Sequence, residues 1–223
     1  MSTIYRLDAS IRPEGSVTRS LANTLQTELE SGLDEFTIIH REIGLTPLPA
    51  TAWGNALAAG ATPAEQRTAD QNAATALATE LADELVAADA LVFAVPLYNY
   101  GVSAQFKSFA DLLLTEPRFA PGAPQALAGR PAFLVTARGG GYGPGTPREG
   151  WDHSTPWNVR LLRDIWGLDL ELIEAELTLA DVNPAMEALR PLAAQNLENA
   201  HAAAIAHAQA LVASLAADEE SAA

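Results

Sequence analysis

The segment from Asp89 to Val95, DALVFAV, constrains the fold more than any other part of the chain. Its apolar residues follow one another without the alternation that a half-exposed strand shows, so the pattern predicts a strand that is covered on both faces. Strands buried on both faces are typical of parallel sheets, whose crossover helices cover the two faces. The segment therefore predicts an α/β protein.

Strand-like and helix-like runs alternate along the rest of the chain. Five strands are predicted, at STIYRLDA, EFTIIHREI, DALVFAV, Pro131 to Thr136, and LDLELIEAELT from Leu168. Five helices are predicted: VTRSLANTLQTELE, a second from Thr62 to about Ala87, a third that begins after the cap Ser103, a fourth that begins at Thr155 and Pro156, and a fifth from Asn183 to about Leu215. In the second, Pro63 is the first helical residue and Glu65 completes a capping box. Gly44 to Ala61 is predicted to be irregular. Right-handed crossovers between five such strands give a doubly wound parallel sheet with helices on both faces.

Composition limits the class of protein. The 223 residues, 48% of them hydrophobic, predict a single domain over residues 1–215 with a disordered tail at 216–223. The absence of cysteine excludes disulfides, thiolate metal sites and a cysteine nucleophile. No signal-like start and no apolar run of about 20 residues are present, so a soluble cytoplasmic protein without a membrane partner is expected. A net charge of −15 argues against a nucleic-acid partner.

Ligands of doubly wound sheets bind at the carboxyl ends of the strands, which directs attention to the residues after each strand. After the first strand, hydroxyls at Ser10, Ser16 and Thr18 surround the start of a helix. Free backbone N–H groups and the helix dipole favour a phosphate there. The alternative is that Ser16 only caps the helix. The loop lacks the Gly-Lys-Ser ending of a triphosphate-binding loop.

The loops after the third and fourth strands have a different character. PLYNYG places two tyrosines and Asn99 after the third strand, and Ala137 to Gly143 forms a glycine-dense loop after the fourth. Glycines let backbone amides approach a planar ligand edge closely, although a flexible surface loop would have the same composition. No GxGxxG motif occurs, which disfavours a Rossmann dinucleotide site. In a flavodoxin-like strand order, 2-1-3-4-5, a monophosphate in the first loop and a flat ring across the others describe FMN.

The motifs in these loops resemble those of the FMN-dependent NADH-azoreductases, which are also NADH:quinone oxidoreductases. LDASIRPEGSVTRSL resembles the first strand, loop and helix of the family. The other matching positions are Pro96, Tyr98, Asn99, Ser103, Gln105, Lys107, Asp111, Leu112, Thr136, Arg138, Gly139, Gly140, Thr155, Pro156 and Trp157. RFAPGAPQAL is shorter than its family counterpart and Gly141 to Ser154 is longer, so substrate preference does not transfer.

The resemblance implies an FMN site, a ping-pong reaction and a homodimer. The phosphate would be held by Ser10, Ser16, Val17 and Thr18, with Val17 contributing its backbone only, and the ring and ribityl chain by Pro96, Leu97, Tyr98, Asn99 and Tyr100; Ala137, Arg138, Gly139 and Gly140 would contact the polar edge of the ring. NADH or NADPH would reduce FMN, and a quinone or azo compound would then take the electrons. No metal is expected.

Several alternatives stay open at this stage. A flavodoxin-type electron carrier would also suit the acidic surface, an apo scaffold would bind no flavin, and a serine hydrolase built on Ser10 lacks a nucleophile elbow. Arg138 could stabilise reduced flavin or form a surface ion pair, and Lys107 is expected to pair with Asp111. His153 is to be tested as a proton donor. Interface or pocket positions are expected for Trp53, Phe119, Trp157 and Trp166, although Trp166 could equally belong to the core.

Overall fold

A five-stranded parallel sheet organises the chain, of which the computed structural model describes residues 2–33 and 35–222. In this part of the chain the strands are β1 (Ser2–Asp8), β2 (Phe36–Glu42), β3 (Ala90–Ala94), β4 (Leu97–Tyr98), β5 (Gly101–Val102), β6 (Pro131–Ala137) and β7 (Asp169–Ala175). The sheet order is β2-β1-β3-β6-β7, and β4 and β5 form a separate hairpin. When the two hairpin strands are left out of the numbering, β6 and β7 are the fourth and fifth strands, and the order is the predicted 2-1-3-4-5. The flavodoxin-like fold is therefore confirmed. All five residues of β3 are buried, as the DALVFAV pattern predicts.

Helices cover both faces of this sheet. They are α1 (Val17–Gly32), α2 (Ala52–Gly60), α3 (Ala69–Ala87), α4 (Ala104–Leu113), α5 (Thr155–Val159) and α6 (Arg190–Ala222). Short 3₁₀ turns occupy Ala64–Gln66 and Pro184–Leu189, and a π-helical turn, Arg160–Ile165, continues α5. The predicted cap of α4 is confirmed, because the Ser103 side chain accepts a hydrogen bond from the backbone N–H of Phe106.

Helix α3 begins later than the sequence pattern predicts. The first residue is Ala69 rather than one near Thr62, and the N-cap is Thr68, whose side chain accepts from the backbone N–H of Gln71. The Gln71 side chain bonds back to the cap, which completes a capping box. The predicted box with Glu65 is wrong, since that residue lies in the separate 3₁₀ turn.

Helix α2 forms inside the stretch that was expected to be irregular. Its sequence, AWGNALAAG, has no charged residue and no side-chain cap at its start. Ala52, Ala56 and Ala59 are nevertheless buried on one side of it. Because these small side chains allow close packing against α3, tertiary contacts stabilise a helix whose local signals are weak.

Two hydrophobic cores lie on opposite faces of the sheet. On one face, aromatic rings of β3, α4 and the end of the π-helical turn meet, with ring centroids 6.1 Å apart for Phe93 and Phe106 and 6.4 Å apart for Phe93 and Trp166. On the other face, α1 and α6 pack against the sheet through residues such as Leu25 and Ala204. Trp166 and Phe119 are buried in the first core, so the structure assigns neither to an exposed interface.

Helix α6 is longer than predicted. It continues through Ala222 rather than ending near Leu215, because no glycine or proline follows Leu215 to end it. The segment that was predicted to be a disordered tail, 216–223, is therefore helical through Ala222, and residue 223 lies outside the described residues. By length and composition alone, the span Pro184–Ala217 could cross a membrane, contrary to expectation. Ala200, Ala204 and Ala208 are buried in the core beside α1, but only 22% of the most apolar window of this span is buried, so packing within the fold accounts for part of its apolar composition.

Candidate functional site

The predicted loops meet at a cavity of about 310 Å³ at the carboxyl ends of β1, β3 and β6. This volume lies at the lower end of the range for small-molecule sites. The predicted residues that line it are Ser10, Ser16, Val17, Thr18, Pro96, Leu97, Tyr98, Asn99, Tyr100, Ala137, Gly139 and Gly140. Of the predicted site residues, Arg138 alone is not part of the lining.

The first loop combines a helix cap with a group of hydroxyls. The Ser16 Oγ accepts a hydrogen bond from the Arg19 backbone N–H at 3.3 Å, so Ser16 caps α1. The same Oγ lies 3.2 Å from the Thr18 Oγ1, and both residues line the cavity. Because the first N–H groups of a helix have no acceptor within the helix, the start of α1 offers donors to an anion in addition to the hydroxyls.

The loop is supported from behind by Arg19 and Gly44. The guanidinium of Arg19 donates to the backbone oxygens of Arg12 at 2.6 Å and Ser10 at 3.2 Å, and to Glu42 Oε2 at 2.8 Å. Gly44 lies so close to Ser10 that a Cβ there would be 2.1 Å from the Ser10 carbonyl oxygen. These contacts fix the loop backbone in one position.

The PLYNYG segment is a tight β-hairpin rather than an open turn. Asn99 and Tyr100 connect β4 to β5 and have φ angles of 48° and 68°. Positive φ at both central residues is the requirement of a type I′ turn, which asparagine tolerates and tyrosine rarely adopts. Gly101 is the first residue of β5, so the glycine of this segment does not occupy either of the two positive-φ positions.

Tyr98 connects the hairpin to the first loop. Its hydroxyl lies 3.1 Å from the Ser10 Oγ and accepts from the Ile11 backbone N–H at 3.2 Å. The polar tip of Tyr98 is therefore used within the protein, while its ring lines the cavity. The exposed side chain of Asn99 has no such partner among the described residues.

The glycines after β6 allow close approach of two side chains. A Cβ on Gly140 would lie 2.2 Å from Arg148 Nη1, and a Cβ on Gly139 would lie 2.6 Å from Leu179 Cδ1. Both neighbours line the cavity. The glycine-dense loop is therefore packed at these positions, and any side chain on Gly140 would displace Arg148.

Arg138 belongs to an ion-pair cluster. Its Nη1 donates to Asp152 Oδ2 at 2.8 Å, its Nη2 to Glu174 Oε1 at 2.7 Å, and its Nε lies 3.3 Å from Glu176 Oε1. Burial lowers the pKa of Arg138, but the three carboxylates outweigh burial and raise it overall. The ion-pair alternative is thus correct for this side chain, which anchors Asp152 and the segment 141–154 rather than facing the cavity.

Two other predicted polar residues have structural partners. Lys107 forms the expected ion pair with Asp111, and its Nζ lies 5.6 Å from the ring centroid of Trp157. His153 is exposed, and its backbone N–H donates to the Tyr100 carbonyl at 2.9 Å. His153 is not among the residues that line the cavity.

The cavity also contains residues that the sequence analysis missed. They are Arg12, Tyr142, Arg148, Thr178 and Leu179. Thr178 and Leu179 follow β7, so the rule that ligands bind at the carboxyl ends of strands would have found them if applied to the fifth strand. Within this lining there are two arginines and no carboxylate, in a chain whose net charge is −15. The site therefore favours an anionic ligand.

One acidic cluster near the cavity could resemble a metal site. Asp8, His40 and Glu42 place potential ligand atoms within 4.8 Å of one another. However, Asp8 is paired with Arg6 at 2.9 Å and with His40 at 2.7 Å, while Glu42 is paired with Arg19 at 2.8 Å. Because arginines already neutralise both carboxylates, the cluster is built as an ion-pair network.

The fold and the cavity together define the class of protein. A family model described as a flavodoxin-like fold matches residues 2–200, which include every strand of the sheet and the whole cavity lining. The structure resembles that of an FMN-dependent NADH-azoreductase from Bacillus anthracis in complex with FMN, with a TM-score of 0.74 and 16% identity over 94% of this chain and 99% of the other. That likeness concerns the fold.

Sequence relatives identify the family within this class. A protein from Streptomyces coelicolor is 39% identical over 222 residues, which cover 98% of this chain and 99% of the relative. A protein from Frankia alni is 39% identical over 188 residues, which cover 83% and 89%. Both are named FMN-dependent NADH:quinone oxidoreductase. The chain belongs to this family, as the resemblance in its motifs implies.

Proposed function

We propose that the protein is an FMN-dependent oxidoreductase that uses NADH or NADPH to reduce quinones and azo compounds. The observation that carries the proposal is the convergence of three loops on one cavity without carboxylates, beside the first turn of α1. The hydroxyl-rich helix start suits a phosphate, and the glycines and hairpin beside it suit a flat ring. The names of the relatives from Streptomyces coelicolor and Frankia alni support the same activity.

The residues present fit the chemistry of FMN. Ser10, Ser16, Thr18 and the backbone of Val17 would hold the phosphate, because they supply hydroxyl and N–H donors at the positive end of the α1 dipole. Pro96, Leu97, Tyr98, Asn99 and Tyr100 would contact the ring and ribityl chain, and Ala137, Gly139 and Gly140 the polar edge of the ring. Arg138 would contribute only its backbone.

FMN, when bound, supplies the redox chemistry between NADH or NADPH and the acceptor. The protein's part is to orient the ring with the hairpin and the glycine loop, and to limit water access with the segment 141–154. Because the two substrates need the same reactive face, we propose that they bind in turn, in a ping-pong cycle.

We further propose that this single domain acts in the cytoplasm as a homodimer, without a nucleic-acid or membrane partner. Helix α2 presents Trp53 and Leu57 with 48% and 53% exposure, and an apolar pair of this kind suits a contact with a second copy. The chain has a mass of 23.5 kDa, and light scattering at micromolar concentration is expected to give twice this mass. A monomer under these conditions would contradict the dimer.

A visible spectrum and a coupled assay test the activity. We expect the purified protein to show flavin absorbance after addition of FMN and removal of the excess, and this absorbance to bleach when NADH is added without oxygen. NADH oxidation should then require both FMN and an acceptor such as benzoquinone or methyl red. If FMN binds but both electron transfers remain absent, an electron carrier is the better description. If no flavin binds, the enzyme proposal fails.

A further inference from the structure

Arg148 lies at the rim of the cavity against two tyrosine rings. Its Cζ is 5.9 Å from the ring centroid of Tyr100 and 6.0 Å from that of Tyr142. The Tyr100 ring also makes an edge contact with the half-exposed ring of Trp151 at 5.6 Å. A cation beside several flat rings is the kind of surface that an aromatic molecule carrying a negative charge can contact.

Arg148 differs from the other cationic residues in its polar contacts. In residues 2–33 and 35–222, it is the one arginine or lysine for which neither an ion pair nor a hydrogen bond of the side chain is present; even arginines without carboxylates, such as Arg130 and Arg163, donate to backbone oxygens. The acidic residues in its own loop bond elsewhere. Glu149 accepts from the Gly145 backbone N–H at 2.8 Å, and Asp152 pairs with Arg138. The guanidinium donors of Arg148 therefore remain available.

The loop that carries Arg148 is held at both ends. The backbone N–H of Tyr142 donates to Glu176 Oε1 at 3.1 Å, and that of His153 donates to the Tyr100 carbonyl at 2.9 Å. Between these points Arg148 packs on Gly140, where a Cβ would lie 2.2 Å from its Nη1. The position of the guanidinium over the rim is thus fixed by the fold, which lowers the entropic cost of binding a ligand group.

We propose that Arg148 recognises an anionic substituent, a sulfonate or a carboxylate, on an aromatic electron acceptor whose ring contacts Tyr100, Tyr142 and Trp151. This inference rests on the proposed function and assigns a specificity to it. A guanidinium matches the planar or forked oxygens of such groups with paired donors. Loss of one charge-assisted contact lowers affinity on the order of tenfold. Arg148 would therefore favour anionic over neutral acceptors of the same ring system.

The test compares 1,4-naphthoquinone with 1,4-naphthoquinone-2-sulfonate as acceptors at saturating FMN and NADH. The measured quantity is the ratio of kcat/KM for the sulfonate to kcat/KM for the neutral quinone. Dividing the ratio of a variant by that of the wild type removes the difference in intrinsic reactivity between the two quinones. We expect this ratio to fall about tenfold in Arg148→Gln, to fall further in Arg148→Glu, and to be partly restored in Arg148→Lys, which keeps the charge but not the paired donors.

Arg160→Gln is the matched control, because Arg160 is an exposed arginine whose ion pair with Asp164 lies on the π-helical turn outside the cavity. Its ratio should equal that of the wild type. An unchanged ratio in Arg148→Gln would overturn the proposal. Two other results in Arg148→Gln would also overturn it. A rise in the KM for NADH with an unchanged ratio of kcat/KM values would assign Arg148 to a phosphate of the dinucleotide. A loss of FMN binding would assign Arg148 to the flavin. Wild-type reduction of the neutral quinone tests the proposed function independently.

Discussion

Replacement of Gly44 by alanine should damage both stability and cofactor binding, because this glycine lies directly against the first loop. A Cβ at this position would be 2.1 Å from the Ser10 carbonyl oxygen, 2.5 Å from its carbonyl carbon and 2.8 Å from that of Ala9. Favourable contacts between heavy atoms lie at about 3.5 Å, so either the backbone at Gly44 or the backbone at Ser10 would have to move by roughly 1 Å. All three neighbours are main-chain atoms, which cannot rotate away as a side chain can.

Hydrogen bonds on both sides resist this movement. The backbone N–H groups of Ile43 and Gly44 both donate to the Asp8 carbonyl, at 2.9 Å and 3.1 Å, and that of Ala9 donates to the Ala94 carbonyl at 3.0 Å. Overpacking costs about 1–3 kcal/mol, and a weakened hydrogen bond adds about 1 kcal/mol. A total of roughly 2–4 kcal/mol corresponds to a fall in Tm of about 4–16 °C for a protein of this size.

The assay is thermal unfolding of the apo protein by circular dichroism, followed by titration with FMN. Because the shift would displace the backbone of Ser10, which lines the cavity, we also expect weaker FMN binding in Gly44→Ala. Gly54→Ala is the matched control, since a Cβ on Gly54 meets nothing within 4 Å and alanine is the better helix former inside α2. A Gly44→Ala protein with wild-type Tm and wild-type FMN affinity would refute the reasoning.

The other predictions concern the hairpin, the loop anchor and the helix cap. Asn99→Ala should weaken FMN binding about tenfold and strain the turn, whereas Asn99→Gly, which tolerates positive φ, should weaken binding without a loss of Tm. Burial raises the pKa of Asp152, but hydrogen bonds led by those from Thr155 outweigh it and lower the pKa from the ordinary value of an aspartate. The ionised form therefore adds stability that is fully present above the ordinary pKa and is lost as the pH falls through the lower pKa of the folded state. The Tm deficit of Asp152→Asn at pH 7 should accordingly shrink in acid. Ser16→Ala should cost about 1 kcal/mol of unfolding free energy and reduce FMN affinity, whereas alanine at the exposed Ser20 should do neither.

The sheet was predictable because its signals are local and redundant. DALVFAV identifies a strand with two covered faces. Because strands and helices alternate along the chain, few sheet topologies are possible. The helices were less predictable where two local signals compete. Thr62 with Glu65 and Thr68 with Gln71 are both capping sequences, and the chain uses the second for α3 and a 3₁₀ turn at the first. In the structure the Thr62 Oγ1 donates to the Ala58 carbonyl of α2 at 2.8 Å, so Thr62 is used at the end of α2 and Thr68 caps α3.

The side-chain directions at the site were the least predictable feature. Ala137 and Arg138 are neighbours at the end of β6, and alternation along an extended chain sends their side chains to opposite sides. Ala137 lines the cavity, whereas Arg138 reaches Glu174 on the neighbouring strand. Conversely, Arg148 lies in a loop without periodicity, so nothing in the sequence distinguishes it from an ordinary surface arginine. Which arginine faces the cavity is therefore decided by strand register and loop closure.

The contrast between the acidic chain and its cavity clarifies what binds an anionic cofactor. A net charge of −15 repels anions at long range, but salt screens exposed charges beyond about 8 Å under physiological conditions. Within that distance the cavity offers the start of α1, the hydroxyls of Ser10, Ser16 and Thr18, and Arg12, and its lining contains no carboxylate. Short-range geometry must then supply the affinity, because the overall field opposes it. For this reason, we expect a displacement of the first loop by about 1 Å to matter more to FMN binding than a change in surface charge.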